Sequence, residues 1–311
     1  MELRRLGASG LKVSEIGLGC NNFGMRIDQD KTQAVVDAAL EAGINLFDTA
    51  DVYGASQSEV MLGKALGARR RDVILATKFA VPMGGSPYQR GGSRRYIVQA
   101  VEASLTRLNT DYIDLYQMHA PDPDAPIEET LRALDDLVHA GKVRYIGCSN
   151  FTGWQIADAD WIARTGHVER FVSAQNNFSL LERNVEREVI PACERFGLGL
   201  LPYFPLASGL LSGKYKRAEA PPEGTRLAAW GPRAADALSD RNFDRLDKLG
   251  AYAAERGHTL LDLAFAWLLG HPAVSSVIAG ATSAEQVKAN AATAGWKLTP
   301  AEVGEVRDLA R

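Results

Sequence analysis

The chain has 311 residues, 46% hydrophobic and 23% charged, enough for two ordinary domains or one large one. Its 35 basic and 38 acidic side chains leave a formal charge of −3, too weak a field to attract nucleic acid. Near-average composition disfavours disorder, no apolar run approaches the ~18 residues of a membrane span, and three scattered cysteines (Cys20, Cys148, Cys193) read as reduced thiols.

In chain order, the start MELRRLGASG lacks the apolar core and cleavage site of a secretory signal, so a cytoplasmic protein is expected. The turn GASG is flanked by Arg4–Leu6 and Leu11–Val13, which predicts a small hairpin plugging the floor of whatever follows. Short β-rich runs then recur: EIGLGC (15–20), INLFD (44–48), DVILATK (72–78), YIDLYQMH (112–119), VRYIGCSN (143–150), FVSAQN (171–176), LGLLPY (198–203) and VSSVIAG (274–280). Each is short enough for a strand buried on both faces. Helical periodicity fills most gaps: Thr32–Ala42, a helix beginning at Ser93, Ile127–Val138, Gly153–Arg164, Val185–Phe196 and Thr259–Leu269.

Eight strands alternating with helices predict parallel strands joined by right-handed crossovers. Eight units point to an α/β fold, a closed (β/α)8 TIM barrel formed by residues 1–311 as a single domain. An open doubly wound sheet is the alternative. The stretch 204–273 is too long for one crossover, and predicts a Gly/Pro-rich loop followed by extra helices, Asn242–Glu255 and Thr259–Leu269. A last helix, Pro300–Leu309, closes the chain. Long loops in compact domains usually act as lids or binding loops.

Several motif matches fail. GLGCNNFG (17–24) has Asn22 where a dinucleotide fingerprint needs its third glycine. GLLSGKY (209–215) is one residue short of a phosphate loop and has Tyr215 where magnesium needs Ser or Thr. No His pair has metal-ligand spacing, and no GxSxG elbow occurs. The clusters Arg69–Arg71 and Arg90, Arg94, Arg95 read as solvated loop charge.

One constellation survives. Barrel chemistry sits where strands end, and the second, third and fourth strands end in Asp48, Lys78 and His119, with Tyr53 just beyond the second. Singly, such an Asp caps a helix and such a Lys snorkels. Together they bring a carboxylate, an ammonium, an imidazole and a phenol to one mouth. A phenol with an ordinary pKa of about 10 is a poor acid at neutral pH, and Lys78 is expected to lower that value. Asp48 would keep Lys78 charged, and His119 would bond a substrate oxygen and share in proton delivery. The set fits protonation of a carbonyl during its reduction, with the hydride left to a cofactor.

The contexts FDTADVYG, ATK and YQMH resemble the catalytic tetrad of the aldo-keto reductases, and the resemblance runs through GKVRYIGCSNF (141–151), AQNNFSLL (174–181), PYFPLASGLLSGKY (202–215) and IAGATSAEQVKAN (278–290). It implies an NAD(P)H-dependent oxidoreductase that reduces aldehydes and ketones on a barrel. Tyr53 would be the general acid, Lys78 and Asp48 its tuners, and His119 the group orienting the carbonyl. By position, Ser149, Asn150 and Gln175 would bind the nicotinamide carboxamide, and Tyr203 would stack on its ring. Pro205, Leu206, Ser208, Gly209 and Lys214 would line the pyrophosphate. Gly280, Thr282, Gln286 and Asn290 would meet the adenosine end, with Arg226 gripping a 2′-phosphate, so NADP is expected over NAD.

The variant of that last motif resembles the branch holding bacterial stress-type reductases and potassium-channel β subunits. An NADP-binding regulatory subunit is therefore one alternative, although such members tend to lose the His that stands here as His119. A lyase using Lys78 as a Schiff-base nucleophile is another. The expected partner is a small carbonyl compound. Phe23, Met25, Val81–Arg95 with Tyr88, Phe151 and Trp230 are candidate substrate walls, and Arg90 is a candidate for an acidic substrate group.

Overall fold

A computed structural model describes all of residues 1–311. The chain opens with an antiparallel hairpin, β1 (Leu3–Arg5) and β2 (Lys12–Ser14). Eight parallel strands follow: β3 (Ile16–Gly19), β4 (Leu46–Asp48), β5 (Ile74–Phe79), β6 (Ile113–Met118), β7 (Val143–Ser149), β8 (Ser173–Gln175), β9 (Gly199–Leu200) and β10 (Val277–Gly280). They pair in the order β10-β3-β4-β5-β6-β7-β8-β9.

The remaining seam, between β9 and β10, is closed by a few bonds. Leu200 donates its N–H to the Ala273 carbonyl (2.7 Å) and accepts from Ser275 N–H (2.9 Å), and Ile278 donates to Pro202 (2.9 Å). The fold is a (β/α)8 barrel, and the open-sheet alternative falls. Strand β9 is only two residues long, although Leu201 and Tyr203 continue to donate to the β8 side, at the Ala174 and Asn176 carbonyls.

Helices α1 (Gln29–Glu41), α2 (Gln57–Leu66), α3 (Arg94–Leu108), α4 (Ile127–His139), α5 (Gly153–Gly166) and α6 (Val189–Phe196) fill the crossovers. The long segment supplies α7 (Arg226–Trp230), α8 (Asp240–Ala254) and α9 (Leu260–Leu269), and α10 (Ala284–Ala292) and α11 (Pro300–Leu309) end the chain. Capping residues set several starts. Asp28 accepts from Lys31 N–H (3.0 Å), which begins α1 three residues before the predicted Thr32. Thr259 with Asp262, and Thr299 with Glu302, form capping boxes on α9 and α11.

Two elements differ from expectation. The predicted helix Val185–Phe196 divides into a 3-10 turn, Asn184–Glu186, and α6. Pro191 is the reason: it lacks an N–H, so it fits only the first turn of a helix, and α6 begins at Val189. Helix α2 carries no ordinary start signal, since Ser56 at its head makes no side-chain cap. Its Gly63 permits close packing on α3, where a Cβ would lie 2.5 Å from the Leu108 carbonyl oxygen.

The barrel interior is plugged at the floor. Leu6 and Val13 of the hairpin pack in one buried cluster with Leu46, Ala76, Leu115, Leu201 and Ile278 from the strands. A larger apolar layer lies between strands and helices and includes the fully buried Trp267 of α9. Arg217 ties the long loop to α8 through Asp240, Asp244 and Asp247. No helix is long and apolar enough to cross a membrane.

Candidate active site

Strands β4, β5 and β6 deliver Asp48, Lys78 and His119 to the C-terminal mouth, and the loop after β4 brings Tyr53 beside them. Lys78 is fully buried. Its ammonium donates to Asp48 Oδ2 (2.7 Å), to the Thr49 carbonyl (2.7 Å) and to the Tyr53 phenol oxygen (3.4 Å). An ammonium has three N–H donors, and all three are used. Burial alone would push the Lys78 pKa down, but Asp48 and Tyr53 more than offset it, leaving the value above that of an ordinary lysine. A protonated, fully bonded amine is no nucleophile, which removes the Schiff-base reading.

The same bonds orient the phenol. Because Lys78 donates to the Tyr53 oxygen, the phenol hydrogen is left free to reach a ligand. Burial pushes the phenol above its ordinary pKa, with Lys78 pulling the other way. The lowering expected from Lys78 is present but is outweighed by burial, so Tyr53 stays protonated at neutral pH.

His119 packs edge-on to Tyr53, with ring centroids 5.6 Å apart. Burial, then Lys78, push its pKa down to about 3, so the imidazole is neutral. Its Nδ1 is buried without a partner. A neutral imidazole can donate a hydrogen bond but holds no extra proton to deliver, which does not fit the share in proton delivery expected from sequence.

From Tyr53 and His119 a cleft of about 720 Å³ runs along the barrel mouth to α10. Every residue that the sequence reading assigned to a cofactor lines it, from Ser149, Asn150 and Gln175 through Tyr203 and the 205–214 segment to Arg226, Gly280, Thr282, Gln286 and Asn290. Asp48, Tyr53 and His119 line it too, with Lys78 behind them. Asn150 donates to the His119 carbonyl (2.9 Å) and accepts from the Tyr203 hydroxyl (2.7 Å). Gln175 donates its amide to Asp48 Oδ1 (2.9 Å), linking the cleft wall to the tetrad. Thr282 donates its N–H to the Gln286 side-chain oxygen (2.9 Å).

Three cations of the cleft wall stand without carboxylate partners: none of Lys214, Arg226 and Arg26 pairs with a carboxylate within 4.0 Å. Burial lowers the Arg226 pKa, and the nearby Arg26 lowers it further, as two like charges without a counterion require. Arg226 lies over the Phe204 ring at 4.9 Å. Ser208 and Gly209 have left-handed backbone, with φ of 60° and 97°, and a Cβ on Gly209 would lie 2.9 Å from Lys214 Cε.

Of the loop after β3, sequence reasoning singled out Phe23 and Met25 and missed the polar residues that line the cleft. Gly19, Asn21, Asn22 and Arg26 line the cleft, and the Arg26 guanidinium donates to the Gly224 carbonyl of the long loop. The signal was present in GLGCNNFG, a strand end at the barrel mouth, once its failed fingerprint is set aside. Two proposed substrate walls are corrected. Phe23 and Phe151 are buried in the core, Phe151 against Phe171 at 5.8 Å. Met25, Tyr88 and Trp230 are exposed, and Arg90 lies 4.0 Å from Asp124.

Residues 15–311 match the Aldo/keto reductase family, and the chain belongs to it. It is 40% identical to the uncharacterized oxidoreductase YrpG of Bacillus subtilis, over 93% of this chain and 89% of that protein. It is 37% identical to a probable voltage-gated potassium channel subunit beta of Oryza sativa, over 93% and 90% of the two chains. With the versiconal hemiacetal acetate reductase of Aspergillus parasiticus it shares 34% identity, over 97% and 95%. Family and relatives together make it an oxidoreductase in general class.

Proposed function

We propose that residues 1–311 act as one unit, an NADP(H)-dependent reductase of aldehydes and ketones with Tyr53 as general acid. The observation that carries this reading is the buried Lys78 ammonium donating to the Tyr53 oxygen, which frees the phenol hydrogen. A nicotinamide dinucleotide held in the cleft would supply the hydride. Ser149, Asn150 and Gln175 would hold its carboxamide, Tyr203 its ring, and the 205–214 segment with Lys214 its diphosphate. Gly280, Thr282, Gln286 and Asn290 would hold the adenosine end. The unpaired Arg226 favours a 2′-phosphate, hence NADP over NAD.

The chain's own part is proton work. His119, neutral, donates a hydrogen bond that positions the carbonyl oxygen near Tyr53. As charge develops on that oxygen, Tyr53 gives up its proton, and the adjacent ammonium stabilises the phenolate left behind. Asp48 keeps that ammonium in place throughout. The phenol then regains a proton from solvent.

The test is loss of NADPH absorbance on mixing the protein with a panel of aromatic aldehydes; turnover is expected. Tight NADPH binding with no turnover of any carbonyl would instead favour a regulatory subunit; two relatives at 37% and 36% identity are named as probable voltage-gated potassium channel beta subunits.

A further inference from the structure

The interior layer just below the tetrad holds a polar side chain that touches neither cleft nor solvent. Gln117 of β6 is fully buried, and neighbours Lys78 of β5 and Gly147 of β7 in the ladder. A buried amide without partners is costly, so its bonds reveal what it is for. Its Nε2 donates to Asp48 Oδ1 at 3.2 Å, the oxygen that also accepts from Gln175. The Ser173 hydroxyl of β8 donates to its Oε1 at 3.4 Å. A carboxylate only accepts, so this arrangement fixes which end of the amide faces Asp48.

Gly147 makes the room. A Cβ there would lie 2.2 Å from Ser173 Oγ and 3.2 Å from Gln117 Cγ. Three adjacent strands thus contribute an amide, a gap and a hydroxyl to one layer. The two oxygens of Asp48 are divided: Oδ1 is held by two amides, and Oδ2 faces Lys78.

Building on the reductase reading, we propose that Gln117 is a positioning residue for the reaction: it clamps Asp48 from below so that Lys78 stays aimed at Tyr53. Gln117 acts through Asp48 and touches no ligand. Gln175, in contrast, shares the clamp and also faces the cleft, so its replacement would disturb ligand binding directly.

The experiment compares wild type with Gln117→Met, which keeps length and apolar bulk but removes the N–H, and with Gln117→Glu. NADPH turnover of an aromatic aldehyde, its pH profile and NADPH affinity are measured for each. The Met variant is expected to lose about tenfold in kcat, the order of one hydrogen bond to a charged group, with NADPH affinity unchanged. Gln117→Glu is expected to exceed the Met variant at low pH, where its protonated carboxyl donates to Asp48, and to lose that advantage as pH rises.

An activity-free readout accompanies these: the alkaline titration of Tyr53, taken as the difference between each protein and its Tyr53→Phe counterpart. Its midpoint is expected to rise in the Met variant, because Asp48, freed from one amide, draws the ammonium away from the phenol. If wild type turns over no carbonyl, the reductase reading fails, and this titration alone decides on Gln117. Wild-type kcat, pH profile and Tyr53 titration in the Met variant would show that Gln117 only fills space. A Met variant that does not fold leaves Gln117→Glu to decide; there, a pH profile and Tyr53 titration matching wild type overturn the proposal.

Discussion

Lys78 Nζ lies 2.7 Å from Asp48 Oδ2 and 3.4 Å from the Tyr53 oxygen, with Lys78 and Asp48 both buried behind the cleft. Replacing Lys78 by Met breaks both links. It leaves Asp48 buried without its cation, which costs about 3–5 kcal/mol of stability for a pair of this kind. It also leaves the phenolate unsupported, so kcat should fall by about 10²–10⁴. Melting temperature and single-turnover rates measure the two effects separately.

A second buried carboxyl predicts a pH effect on stability. Asp51 has only the Tyr96 hydroxyl (3.2 Å) on one oxygen, and its other oxygen is unpartnered. Glu59, nearby on α2, already takes Arg107 and the Thr77 hydroxyl. Burial, then the Glu59 charge, raise the Asp51 pKa from 3.8 to about 7. The folded protein therefore holds this proton more tightly than the unfolded chain. Its stabilising contribution is full below about pH 4 and is lost as pH rises through 7. Asp51→Asn should be more stable than wild type at pH 8, relative to the same comparison at pH 4. A difference independent of pH, read from urea titrations, would contradict this.

Arg226 should discriminate between cofactors. Arg226→Ala is expected to raise the NADPH Kd by about tenfold, the scale of one charge-assisted phosphate contact, and to leave NADH little changed. Fluorescence titration with both nucleotides is the check. Equal weakening of both would assign Arg226 to the shared diphosphate instead.

The floor should matter for stability and not for chemistry. Leu6 is fully buried in the lower cluster, far along the barrel from Tyr53. Leu6→Ala should cost about 2–5 kcal/mol in denaturant unfolding. The kcat of the remaining folded protein should equal that of wild type.

Much of this was legible in the sequence, because a parallel barrel writes its chemistry at strand ends. Asp48, Lys78 and His119 could be placed by counting residues to the end of each apolar run. What escaped depends on three dimensions. The YQMH motif displays Gln117 as plainly as His119, yet only packing shows that its amide meets Asp48. The direction of the Tyr53 shift turns on burial, which no spacing encodes. Arg26 meets the Gly224 carbonyl of the long loop at the cleft, a contact between segments 198 residues apart that no local pattern encodes. Phe23 and Phe151, aromatic and next to the mouth in sequence, turn inward to the core.

The proposed reduction turns on Tyr53 as the source of the proton for the carbonyl oxygen. The direct measurement is NADPH-dependent turnover of an aromatic aldehyde by Tyr53→Phe, alongside its NADPH affinity. The phenyl ring preserves shape and removes only the hydroxyl. Unchanged NADPH binding and a kcat lower by at least about 10²-fold are expected. Turnover at the wild-type rate would contradict this role of Tyr53.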